Sequence, residues 1–260
     1  MNQQSPQPQP APGAAGTEAT GKAPQFTAVS RERFAGKKWQ RPGGYGFALT
    51  GAMAPIVAAE IGHAALRLPL AFLQQGDRFI LAAVLSPVPG RNMLVAPDGR
   101  WLGGYVPAYI RSYPFALLPQ QGNPSAAAKQ VFDFLAALER SRKVTEAAVS
   151  ALATAGVIHP WPIKRKTAEG EKDVAGLNRV DEPTFNALSD DAFLKLRKTP
   201  AALPIAYAQL LSMGQLGIFE HLERLQAQLR PQSTSSLVAA LPESIDSLFG
   251  TSSEDTIQFR

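Results

Sequence analysis

Glu60 and His63 stand three residues apart in the apolar run APIVAAEIGHAAL, residues 54–66. On a helix that spacing turns a carboxylate and an imidazole toward the same side. Two chemistries fit it. A Glu-x-x-His step is one unit of carboxylate-bridged metal sites, but a complete site takes a second such step and further carboxylates. The chain offers no second step, so no metal ligand is assigned. In the other reading Glu60 makes a structural hydrogen bond near the helix and His63 faces solvent. His159 and His221 lie far away in sequence. A Ser-His-Asp set is defined in space and not along the chain, and nothing singles one out. Phosphate-loop, dinucleotide-fingerprint, zinc-protease and nucleophile-elbow motifs are absent from the sequence, which argues against an ordinary hydrolase, NTPase or nicotinamide dehydrogenase. With no cysteine, disulfides, thiol nucleophiles and thiolate-bound metals are excluded. No catalytic residue is assigned and no cofactor is expected.

A second set of residues points to binding. Trp101, Tyr105, Tyr109, Tyr113 and Phe115 fall within fifteen positions. The three tyrosines recur at i, i+4 and i+8, which places them on one face of a helix entered at Pro107 and ended by Pro114. Arg111 lies among them. Such a cluster makes a platform for a sugar ring, a peptide or a proline-rich segment. It is equally a set of core aromatics whose OH and NH groups each find a partner, which the burial habits of these residues favour. The candidate binding residues are Trp101, Tyr105, Tyr109, Arg111, Tyr113 and Glu60. A basic stretch at 31–41 holds Arg31, Arg33, Lys37, Lys38 and Arg41 around Trp39. It reads first as a solvated lead-in to the domain, so nucleic acid is not the expected partner.

The elements that must position these residues follow from periodicity and punctuation. Residues 70–74 (LAFLQ) and 79–85 (FILAAVL) flank Gln75-Gly76-Asp77 and read as a β-hairpin. The second run does not alternate, so both its faces should be covered, as in a central strand. Residues 45–49, 92–96 and 115–118 read as short strands, and 54–66 as a helix with Pro55 in its first turn. Residues 126–155 carry apolar positions at mixed threes and fours, as one amphipathic helix or two. Residues 157–166 and 174–180, around a turn at 169–172, form a second hairpin. Helical turns follow over 183–188 and, capped by Ser189, over 190–197. A last helix spans 200–229, with Gly214 and Gly217 lowering its helix propensity by about 1 kcal/mol each. The fold class is α+β: a single domain with an antiparallel, hairpin-based sheet packed by several α-helices.

The 260 residues divide into a Pro/Gln/Ala-rich tail (1–30), the domain (31–230) and a Ser/Thr-rich tail (231–260). Both tails are expected to be flexible, since they lack the apolar content to offset chain entropy. Residues 236–249 keep a weak amphipathic pattern. The net charge of +5 is modest. No basic start followed by an apolar run marks a signal peptide, and no run of about 18 apolar residues marks a membrane span. The expected location is the cytoplasm or an association with the cell surface.

Several segments in order resemble the SapC family, the bacterial surface-layer-associated proteins. They are Tyr45-x-Phe47-Ala48, Pro55-x-Val57-Ala58-Ala59-Glu60, Pro69-Leu70-Ala71-Phe72, Pro89-Gly90-x-Asn92 and Asp98-Gly99-Arg100-Trp101. Tyr105-Val106-Pro107-Ala108, Arg111-x-Tyr113-Pro114-Phe115 and Leu203-x-x-Ala206-Tyr207-x-x-Leu210-Leu211-Ser212-Met213-Gly214-Gln215-Leu216 complete the set. The likeness covers roughly residues 34–229 and departs after Leu118, where a longer acidic insertion is expected and a short loop stands. The resemblance implies a non-enzymatic accessory or interaction protein tied to the surface layer or cell envelope, with protein partners there. Relatives accompany outer-membrane receptors and flavin-dependent halogenase-like enzymes. That implies the alternative, an enzyme or enzyme partner in peptide modification or in sugar or peptide uptake.

Overall fold

Strand β3 (Arg78–Val84) is the axis of the sheet. Its run of apolar residues is covered from both sides, and Leu81, Ala82, Ala83 and Val84 are all buried, as the lack of alternation requires. The structure is a computed structural model that describes residues 27–229 except 30–32, 35, 38–39, 41, 118–125 and 168–169. Strand β2 (Leu70–Gln75) pairs with β3 from Leu70↔Ala83 to Gln75↔Arg78. Gly76 turns the hairpin at φ +61°, where a side chain would be strained. Strand β1 (Met53–Pro55) takes the other side of β3. It is an edge strand, where Pro55 costs no ladder bond.

The free edge of β2 is filled from the second half of the chain. Strand β7 (Leu177–Val180) pairs with it, and β4 (Ile158–Pro160) closes the far edge. The order is β1-β3-β2-β7-β4, antiparallel throughout. β5 (Ile163–Thr167) and β6 (Gly170–Val174) form a separate two-stranded ribbon. The antiparallel sheet packed by helices is the α+β class read from the sequence. The second hairpin contributes to the first hairpin's sheet only through β7 and β4.

Helix α3 (Ala126–Thr154) is continuous and packs on β3, burying Leu135, Ala148, Val149 and Leu152. After short α4 (Glu182–Asn186) and α5 (Asp190–Lys198), α6 (Ala202–Ser212) lies against α3, α1 (Ile61–Ala65), β2 and β7. Asp181 and Ser189 cap α4 and α5 through Thr184 N (3.1 Å) and Ala192 N (3.3 Å). The glycines at 214 and 217 fall in a 3-10 turn, Met213–Gly217, that separates α6 from α7 (Ile218–Leu229). The stretch Ala202–Leu229 is long and apolar enough to cross a membrane, with mean hydropathy 1.3. Its α6 half instead buries Ala202, Ile205, Ala206, Gln209 and Ser212, and α7 buries Phe219, Leu222 and Gln226, as core helices do.

Several local expectations are corrected. Residues 45–49 form a 3-10 turn (Gly46–Ala48), because Tyr45 N donates to Gly99 O (2.7 Å) and the chain bends against that loop. The helix expected over 54–66 is shorter. Its first residues extend as β1, a 3-10 turn spans Ala58–Glu60, and only Ile61–Ala65 is α-helical. Pairing of Pro55 with Ala82 holds the start extended, while Thr145 Oγ1 and Ser141 Oγ of α3 accept from Ala58 N (2.7 Å) and Ala59 N (2.9 Å). Residues 92–96 make one isolated bridge, Val95↔Trp101, in place of a strand. Gln226 Nε2 satisfies their carbonyls instead, donating to Met93 O (3.0 Å) and Val95 O (2.8 Å). Residues 115–117 form no strand. The expected strand 174–180 is split by a turn at Ala175-Gly176, and 170–172, expected as a turn, lie in β6. The two tails, with the pattern at 236–249, lie outside the described residues, as do Arg31, Lys38, Trp39 and Arg41 of the basic stretch.

Candidate functional site

The carboxylate of Glu60 is the hub. It lies at the end of the 3-10 turn that enters α1 and is 5 % exposed. Its Oε1 accepts from Val57 N (3.2 Å), which closes the turn locally. Its Oε2 accepts from the hydroxyl of Tyr105 (2.7 Å) and from Ala108 N (2.7 Å), forty-eight residues away. Ala108 opens the short helix α2 (Ala108–Arg111), so Glu60 supplies the acceptor that the start of α2 lacks. A buried charge held by three donors is satisfied where it stands.

Tyr105 and Arg111 build outward from that hub. Arg111 Nε donates to Val106 O (3.0 Å) and its Nη2 to the Tyr105 hydroxyl (3.3 Å). Its guanidinium lies 5.9 Å from the ring centre of Tyr105 and 5.5 Å from that of Phe134 on α3, within cation–π range of both. The His63 ring lies nearly parallel to that of Tyr105, 6.0 Å between centres. Trp101 Nε1 donates to Tyr105 O (2.9 Å), and Trp101 meets Tyr45 edge-on at 5.4 Å. Gly103 must be bare: a Cβ there would come within 2.8 Å of Leu94 Cδ2 and 2.9 Å of Trp101 Nε1.

Burial of the phenol, followed by its bond to the Glu60 carboxylate, pushes the pKa of Tyr105 up to about 12. A raised pKa means that the fold prefers the neutral phenol. This contribution is whole below the ordinary tyrosine pKa of ~10 and is lost as pH rises toward 12. Ultraviolet titration of the five tyrosines is expected to show one phenol ionising late, and Tyr105→Phe to remove that late phase. A wild-type curve that has already finished where ordinary phenols finish would contradict the assignment.

The structure thus gathers Glu60, Trp101, Tyr105 and Arg111 and leaves Tyr109 and Tyr113 apart. The helix expected to carry all three tyrosines is only Ala108–Arg111, because Glu60 fixes its start at Ala108 and it ends at the Ser112–Pro114 turn. Tyr113 is 48 % exposed and stacks face to face on Phe47 at 3.8 Å. Tyr109 is exposed as well. The cluster is therefore two things: half-buried aromatics locked to Glu60, and an outer pair with Tyr109 in solvent. His63, Phe134 and Tyr45 join the site without having been assigned to it. The Glu60–His63 spacing was the available signal for His63, whereas Phe134 and Tyr45 are brought in by tertiary packing alone.

Beside the hub lies a shallow hollow of about 490 Å³, bordered by Ala59, Glu60, His63, Gly103, Gly104, Tyr105, Val106 and Arg111. Among the described residues no group of three or more acids and histidines is placed to hold a metal.

Comparison with known proteins places most of this architecture in one family. The family model described as SapC matches residues 29–121 and 116–218, which spans the sheet, the hub and helices α1 to α6. No curated protein and no solved structure matches the chain.

Proposed function

The chain belongs to the SapC family, and we propose that it is a non-enzymatic accessory protein of the bacterial surface layer or cell envelope that meets protein partners through its aromatic face. The observation that carries this reading is the division of the aromatic cluster. Glu60, the most buried acid near it, is occupied by Val57 N, Ala108 N and the Tyr105 hydroxyl. A general base needs a lone pair directed at a substrate proton, and these bonds direct the lone pairs of Glu60 into the fold. Phe47, Tyr109 and Tyr113 instead offer rings to solvent. Exposed aromatics with few rotatable bonds are what protein interfaces use as anchors. The domain that presents them is residues 31–230, and its place is at the envelope.

Site-specific photo-cross-linking from position 113, in the cells the chain comes from, tests the proposal. A benzoylphenylalanine there keeps a ring over Phe47 and is expected to form adducts with a protein of the envelope fraction. Adducts with soluble proteins alone, or none, would count against it. A second reading, a partner in peptide modification or nutrient uptake, is favoured by one observation, the hollow beside Tyr105.

A further inference from the structure

We propose that the hollow beside Tyr105 is a binding site for a small organic monocarboxylate, held by Arg111 with Arg67 at its rim. This does not depend on the aromatic face meeting a protein.

The volume is the first ground. About 490 Å³ falls within the range of small-molecule pockets. The second is the way Arg111 is presented. Nε and Nη2 are tied to Val106 O and the Tyr105 hydroxyl, and the guanidinium is held against the rings of Tyr105 and Phe134. Nη1 has no partner among the described residues. A guanidinium fixed on one edge loses little freedom when a carboxylate docks on the other. The third ground is Arg67. Its side chain runs past Gly104, and a Cβ on that glycine would stand 3.1 Å from Arg67 Cδ. Gly104 thereby gives room to a second cation at the edge of the same hollow. Neither arginine has an acidic partner among the described ion pairs.

Charge selects the class of anion. Two arginines face one carboxylate, Glu60, whose lone pairs are taken up by donors of the fold. A ligand of one negative charge completes the balance. A dianion, such as a phosphate monoester at neutral pH, brings a second charge toward Glu60 with no further fixed cation to meet it. The near-parallel rings of His63 and Tyr105 and the side chain of Val106 supply an apolar wall for the body of the ligand.

Titration of the full chain with benzoate, followed by amide chemical shifts, provides the test, with phenyl phosphate as the dianionic counterpart. Saturable benzoate binding is expected, with shifts centred on residues 60–63 and 103–111. Arg111→Leu is expected to weaken it by at least about tenfold, as the loss of a charged hydrogen-bonding partner does. Arg67→Gln is expected to have a smaller effect of the same sign. Arg111→Lys keeps the stem and the charge but not the fork, and is expected to bind several-fold more weakly; it decides the matter if the leucine variant does not fold. Absence of saturation at tens of millimolar benzoate, or unchanged affinity in a folded Arg111 variant, would overturn the site. Tighter binding of phenyl phosphate than of benzoate would overturn the monocarboxylate assignment.

Discussion

Replacement of Glu60 by alanine is expected to destabilise the fold by about 3–5 kcal/mol, the cost of leaving several buried donors without an acceptor. Val57 N and Ala108 N would both lose their partner at buried residues, and the Tyr105 hydroxyl would lose its acceptor. Each orphaned donor costs about 1–3 kcal/mol, less where water reaches it, as at Tyr105. Glu60→Gln is the more discriminating variant. Its one amide oxygen can still accept from Tyr105 and Ala108, but its NH2 would face Val57 N, donor against donor, for a loss of about 1–3 kcal/mol. Urea unfolding monitored through the tryptophans measures both, with the midpoint shifting at unchanged slope. A loss below about 1 kcal/mol for the alanine variant, the size of a surface effect, would mean that Glu60 is not the structural hub described.

The second large effect is expected at Gln209, which joins α6 to the sheet. Its side chain is fully buried. Oε1 accepts from Val180 N on β7 (2.9 Å), and Nε2 donates to Leu70 O on β2 (3.1 Å). Next to it, Ser212 Oγ accepts from Leu70 N (2.9 Å). β2 and β7 share only the pairs Phe72↔Asn178 and Leu73↔Leu177, so the amide of Gln209 bridges them where their own ladder stops. Gln209→Ala removes both bonds and opens a cavity, which together cost about 3–5 kcal/mol. Gln209→Leu refills the space yet leaves Val180 N and Leu70 O unpaired, for about 2–4 kcal/mol. A leucine variant as stable as the wild type in urea would show that packing alone holds α6 on the sheet.

Both residues show where sequence reasoning reached and where it stopped. The β2–β3 hairpin was legible because the Gly76 turn is local and the apolar run of β3 does not alternate. Helix α3 and the Ser189 cap of α5 were legible for the same reason, since periodicity and capping act within a few residues. Glu60 was assigned a structural hydrogen bond, and it makes one to Val57; that it reaches Ala108 and Tyr105 as well was invisible, since those partners lie 48 and 45 residues away. Gln209 stood in an apolar helix with nothing to mark it, and its partner on β2 is 139 residues distant. The helical face drawn through Tyr105, Tyr109 and Tyr113 failed because a repeat of four carries no information on where a helix begins. Glu60 sets that at Ala108, and Tyr105 then points inward while Tyr113 turns out toward Phe47.

The division into a sealed hub and an outward aromatic face is tested most directly by repeating the cross-linking from position 113 under two controls. One carries the photo-reactive residue at Asp173, on the exposed β5–β6 ribbon, and the other keeps it at 113 and adds Phe47→Ala. The account predicts an envelope-protein adduct from position 113, none from position 173, and a weakened adduct when Phe47 is removed from a chain that still unfolds at the wild-type urea midpoint. Equal adducts from 113 and 173, or an adduct indifferent to Phe47, would contradict it.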